Sequence, residues 1–254
     1  MKPVYRFACL FLLFGLSADG TVYSAVSEAE AELKTAEALV KKRQFRDALP
    51  YFDRAAKLAP SVGKIFAERG SLLLGLEERE KALDDLNRAI QLDPSRIDSY
   101  VDRARCQYEL QKPRAAIEDV TRAINLEHDK PNRAFRLRER ASYYFQMGNS
   151  QKAFDDLGAS LTWLQDYYTY FLRGDMHYKL KQYRAAVADY TIGLKLVKPN
   201  VTDVDFFYEE RARAYDKLGE TSLAQQDRRT SRIYSRKDPF FDYLPPDRGG
   251  RPQQ

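Results

Sequence analysis

Slid along itself by about 34 residues, the chain comes back into register with its own sequence. The fragments RDALPYFDRAAKLAP, EKALDDLNRAIQLDP and RAAIEDVTRAINLEH superimpose without gaps on Ala48, Ala82 and Ala116. The series continues as KAFDDLGASLTWL, AAVADYTIGLKLV and LAQQDRRTSRIY, anchored at Ala153, Ala186 and Ala224. A period this short cannot shelter its own apolar side, so such a chain folds only by leaning each unit on the next.

Each period holds two amphipathic segments. In the second unit the later segment places Ala82, Leu83, Leu86, Ala89, Ile90 and Leu92 on one helical stripe. Pro60 and Pro94 fall where that helix must stop, because proline cannot continue the backbone ladder. Gly148 and Gly219 sit between paired helices, where a left-handed residue is commonly required. No alternating, strand-like pattern competes, so the expected fold is all-α.

These residues resemble the tetratricopeptide repeat. The family's small position on the first helix (helix A) is filled by Ala36, Gly70, Ala104, Ala141, Gly174 and Ala212. Its large position on the second helix (helix B) is filled by Phe52, Leu86, Val120, Leu157, Tyr190 and Arg228. The resemblance implies a right-handed superhelical solenoid of about six hairpins, spanning residues 29–62, 63–96, 97–130, 134–166, 167–200 and 205–238. The sixth departs from the pattern at Arg228, Ser231 and Arg232, as an end cap facing water should.

Repeats two to six also carry an Arg on helix A and an Asp on helix B at a constant spacing. The pairs are Arg69 and Asp85, Arg103 and Asp119, Arg140 and Asp156, Arg173 and Asp189, and Arg211 and Asp227. One reading is a ladder of ligand-binding arginines. The favoured one is mutual neutralisation at a half-buried helix contact, since charges removed from water require partners.

The resemblance also implies where a partner binds: the concave wall built by helix A, at its second, fifth, ninth and twelfth positions. Repeat three offers Asp98, Val101, Arg105 and Tyr108, and repeat four Phe135, Arg138, Ser142 and Phe145. Repeat five offers Tyr168, Phe171, Asp175 and Tyr178, and repeat six Phe206, Glu209, Arg213 and Asp216. Repeats one and two offer Glu30, Leu33, Glu37, Lys64, Ala67 and Ser71. Arginines and aromatics, the residues of interaction hot spots, therefore gather in repeats three to six. The expected partner-binding set is Arg105, Tyr108, Phe135, Arg138, Phe145, Tyr168, Phe171, Tyr178 and Arg213. Packing between helices is the competing role for Tyr108, Phe145 and Tyr178. The basic clamp with which some family members hold a C-terminal carboxylate is missing, because Glu37, Ser71 and Asp98 occupy its places.

Composition narrows the function further. The formal net charge is +5, with both signs interleaved along every helix, which argues against nucleic acid as partner. Two cysteines and two histidines cannot make most structural zinc sites, and Cys9 and Cys106 are no plausible bridged pair. His128 and His177 have no Ser or Cys beside them in a nucleophile motif, and the adjacent pairs Asp84-Asp85 and Asp155-Asp156 point apart on a helix. No phosphate loop or HExxH is present. The expectation is a non-enzymatic adaptor with a protein or peptide partner and no cofactor, metal or small-molecule substrate.

The two ends read differently from the middle. Lys2 and Arg6 precede an apolar run from Phe7 to Leu16, followed by Ser17-Ala18-Asp19-Gly20. Residues 1–26 thus have the form of a signal peptide cut after Gly20, with a second option near Val22-Tyr23-Ser24. The run is well short of the ~20 apolar residues that span a membrane. An exported, periplasmic or secreted protein is expected; the alternative is a scaffold tethered to a membrane by an uncut segment. Asn200-Val201-Thr202 is a glycosylation sequon. Residues 239–254 form a Pro- and Gly-containing tail, expected to be disordered over its last ten residues, with Phe240, Phe241 and Tyr243 offered either to the end cap or as a docking peptide.

Overall fold

The computed structural model describes residues 20–197 and 204–235. The apolar run at the N-terminus, Cys9, the sequon and the tail aromatics lie outside them. Among the described residues there are twelve helices and no strand. They pair as hairpins: α1 (Gly20–Lys41) with α2 (Phe45–Leu58), α3 (Gly63–Gly75) with α4 (Arg79–Leu92), and α5 (Ile97–Glu109) with α6 (Pro113–Leu126). The series goes on with α7 (Lys130–Gln146) and α8 (Ser150–Trp163), α9 (Tyr167–Lys179) and α10 (Tyr183–Leu196), and α11 (Val204–Lys217) and α12 (Thr221–Ser235). The described residues divide into two compact bodies of three hairpins each, parting after Leu126. The first helix already begins at Gly20, so the last part of the segment read as an N-terminal address is helical and continuous with repeat one.

Inside every hairpin the periodic residues do one job. The six anchor alanines, Ala48, Ala82, Ala116, Ala153, Ala186 and Ala224, are fully buried. The small residue of helix A faces the large residue of helix B, and Phe52, Leu86, Val120, Leu157 and Tyr190 are almost wholly shielded from water. Burying each such side chain contributes about 1.5–3 kcal/mol. Size is matched across the contact: a Cβ added to Gly174 would stand 2.7 Å from the Tyr190 ring, and one on Gly70 would stand 2.9 Å from Leu86 Cγ. Arg228 breaks this pattern at the large position. It turns instead to Glu209 at 3.4 Å and to Asp216, whose carboxyl it holds below its usual range.

The Arg and Asp residues of repeats two to six meet as the neutralisation reading requires. In all five pairs Nε and Nη2 donate to the two carboxylate oxygens at 2.6–2.8 Å, the parallel two-bond geometry that suits guanidinium and carboxylate. The remaining Nη1 of Arg69, Arg103 and Arg211 reaches back to helix B of the preceding repeat. It finds Asp53 at 2.7 Å, Asn87 at 2.9 Å and Thr191 at 3.0 Å. These arginines therefore staple one hairpin internally and fasten it to the last one.

The turns between helices A and B share one geometry. In each, a backbone N–H donates across the helix end to the carbonyl five residues back, as from Gln44 to Leu39 at 2.9 Å and from Glu220 to Tyr215 at 3.0 Å. This places one residue per turn at positive φ. Gly148 and Gly219 take it at 77° and 76°, but Arg43, Glu77, Gln111 and Lys181 also take it, at 60–64°. Away from glycine, that conformation is strained.

Candidate functional site: the helix A faces

In the second body the residues expected to bind divide into those that face water and those that support them. Phe135, Tyr168 and Phe206 hold the same place on α7, α9 and α11, and they are 52%, 50% and 50% exposed. Exposed aromatics of this size, recurring at one position, are uncommon on a surface with nothing to bind. Arg138 does not face water in the same way. Its guanidinium lies between the first two rings, 5.0 Å from the Phe135 centroid and 5.3 Å from that of Tyr168. Its Nη1 donates to Asp166 Oδ1 at 2.8 Å and to Thr169 Oγ1 at 3.3 Å, and only 12% of the side chain is exposed. Asp166 is also the N-cap of α9, accepting from the Thr169 N–H at 3.1 Å. One carboxylate thus starts a helix and fixes the arginine that spaces two rings.

Phe171 plays the corresponding part farther along. It is half-buried, with its ring centroid 5.3 Å from Phe206, 4.4 Å from Phe207 and 5.4 Å from Tyr190. It supports Phe206 from beneath. Phe145 is half-buried against Ala141, Leu157 and Met176. Tyr178 is half-buried too, with the Tyr183 ring at 5.4 Å and the Arg213 guanidinium at 5.5 Å. Arg213 keeps half its side chain in water while donating to the buried carboxylate of Glu210 at 2.7 Å, a bond that raises its already high pKa. The twelfth position therefore packs more than it projects.

The first body presents a different face. Arg105 on α5 is more than half exposed, with Asp102 at 3.8 Å, and Tyr108 is half-buried one turn later. Leu33, Ala67 and Val101 are buried. What remains at the surface is mainly charge and hydroxyl: Lys64 donates to Glu37 at 2.7 Å, and the Ser71 hydroxyl donates to Asp102.

The other chemically suggestive residues take structural positions. His177 stacks on Phe154 with centroids 4.4 Å apart, and its Nδ1 is 2.6 Å from Gln182 Oε1. Cys106 is buried, its thiol donates to the Arg79 carbonyl at 3.0 Å, and burial pushes its pKa up. Among the described residues no three of His, Cys, Asp and Glu are grouped to hold a metal ion. No described helix is long and apolar enough to cross a membrane.

One hairpin matches a known family directly. Residues 63–96, which are α3 and α4 with their turns, match the model of the tetratricopeptide repeat. The second hairpin is a tetratricopeptide repeat, and the chain as a whole is similar in fold to tetratricopeptide-repeat proteins. Solved structures share its fold at low identity. The C-terminal part of a tetratricopeptide repeat-containing protein from Cytophaga hutchinsonii aligns with a TM-score of 0.67 at 18% identity, covering 79% of this chain and 78% of that one. PilF of Pseudomonas aeruginosa aligns at 0.64 and 15% identity, covering 83% and 94%. YrrB, described as a tetratricopeptide-repeat protein with an unusual peptide-binding site, aligns at 0.54 and 13% identity, covering 74% and 93%. No curated protein matches the chain.

Proposed function

We propose that the protein is a non-catalytic adaptor whose second body holds a polypeptide segment against Phe135, Tyr168 and Phe206. The observation that carries this reading is the recurrence of a half-exposed aromatic ring at one place on three successive A helices. Arg138 and Phe171 hold the rings in fixed positions, so little side-chain freedom is lost when a partner covers them. Arg105, Tyr108, Phe145, Tyr178 and Arg213 extend the helix A faces beyond this row. The fold relative YrrB, by its description, binds peptide, which agrees with a polypeptide partner. Nucleic acid fits poorly, because the arginines of the ladder are each spent on a carboxylate.

The test is the triple variant Phe135→Ala, Tyr168→Ala, Phe206→Ala against peptides selected by display on the intact protein. A loss of about 100-fold in affinity with unchanged helical circular dichroism is expected, since aromatic anchors commonly contribute about 1–2 kcal/mol or more each. Unchanged affinity would remove the row from the binding site. Export is part of the proposal. A mature chain beginning at Thr21 supports it, whereas an intact Met1 would favour the membrane-tethered scaffold.

A further inference from the structure

A cavity of about 510 Å³ opens on the first body, between α1, α2 and α3. Val40, Phe45, Phe52 and Leu72 make its apolar wall, and Glu37, Glu68, Lys41 and Ser71 stand around it. The repeat register explains why the space exists here. The place of Gly75 is taken by Lys41, Glu109, Gln146, Lys179 and Lys217 in the other repeats, and a Cβ added to Gly75 would meet nothing within 4 Å. The absent side chain leaves the wall open, and Phe45 is 40% exposed beside it.

The charges at the rim are unevenly matched. Lys64 lies 2.7 Å from Glu37 and 3.4 Å from Glu68, so two carboxylates share one ammonium. Lys41 acts on Glu37 from the rim, while Asp102 accepts from Ser71 and has Arg105 at 3.8 Å. The two partners of Lys64 fare differently. Lys64 holds the Glu37 carboxyl below its usual range, whereas burial pushes that of Glu68 above it in spite of Lys64. Glu68 is the carboxylate that a further cation would relieve.

We propose that this cavity is a second recognition site, which takes an arginine or lysine of a partner polypeptide together with the apolar residue beside it. The aliphatic stem would lie on Val40, Phe45 and Leu72, and the head group would reach Glu68 and Glu37; long basic side chains divide in this way between apolar surface and charge. The site shares no residue with the aromatic row, and its failure would leave that reading intact.

Calorimetry on the full chain tests it with acetylated, amidated ten-residue peptides carrying one Arg-Leu step in a Gly-Ser background. The Arg-Leu peptide binds, and versions with Gln for Arg or Ser for Leu bind about tenfold more weakly or not at all. Glu68→Gln and the cavity-filling Gly75→Leu each weaken the Arg-Leu peptide by about tenfold, while the triple aromatic variant binds it as the parent does. Glu68→Gln keeps the test valid should Gly75→Leu not fold. No binding of the Arg-Leu peptide, equal binding of the Arg and Gln peptides, binding untouched by both cavity variants, or arginine amide alone binding as tightly as the peptide would each overturn the proposal.

Discussion

The two bodies are built by one rule and finished by two. Both use fully buried alanines, a small residue facing a large one, and two-bond Arg–Asp pairs. Their helix A faces share almost nothing. The first body shows Glu37, Lys64, Ser71 and Arg105 over a cavity opened by Gly75. The second shows Phe135, Tyr168 and Phe206 on a base of Arg138 and Phe171. The helix starts differ in part: Asp129, Asn149 and Asp166 cap α7, α8 and α9 with their side chains, whereas the starts of α2, α3, α4 and α5, and that of α10 in the second body, have no such bond. Positions that hold the hairpin are constrained by packing, and those that point away are left to vary with what each body touches.

The largest expected effect tests the shared part. Asp119→Ala in the first body and Asp189→Ala in the second should each cost about 3 kcal/mol in denaturant unfolding, because each strands a mostly buried guanidinium. A cost confined to one body would break the claim of a common rule. Next comes the small-against-large contact. Gly174→Ala should lose about 2 kcal/mol, since the new methyl meets the rigid Tyr190 ring, and adding Tyr190→Leu should restore much of it. Gly70→Ala should cost less, because Leu86 is smaller and can turn aside, and alanine favours the helix.

Asp166 separates the finishing of the second body from its framework. Asp166→Ala should lose about 1 kcal/mol for the cap alone, and Asp166→Asn should keep most of the cap while removing the charge that holds Arg138. Peptide affinity should fall in both, and stability mainly in the first. The smallest effect is a gain. Gly158 stands in the register place of Asp53, Asn87 and Thr191, with open space around a would-be Cβ, and Arg173 is the most exposed arginine of the ladder at 26%. Gly158→Asn should add about 1 kcal/mol by supplying a third partner and a better helix former, measured by thermal unfolding.

Much of this was legible because the repeat fixes distances in space through distances in sequence. The constant spacing of Arg103 and Asp119 was enough to foresee their bond, while the register marked Gly174 only as a small position and Tyr190 as a large one, and their contact emerged in the structure. Where the reading stopped, the missing information lay in a third element. Arg138 looks like a free groove cation until Asp166, in the turn before α9, is seen to hold it. Tyr108, Phe145 and Tyr178 occupy positions that either pack or bind, and only burial divides the two roles. The cavity had a faint signal in Gly75, visible when the six helix ends are set in register. The left-handed turns at Arg43, Glu77, Gln111 and Lys181 had none, because backbone bonding imposes them without a glycine.

The most direct measurement is a resonance map of a display-selected peptide titrated into the isotope-labelled protein. Shifts centred on Phe135, Tyr168 and Phe206, with the outward residues of α8, α10 and α12 unmoved, are what the aromatic row predicts. Shifts centred on those B helices, with the three rings undisturbed, would contradict it.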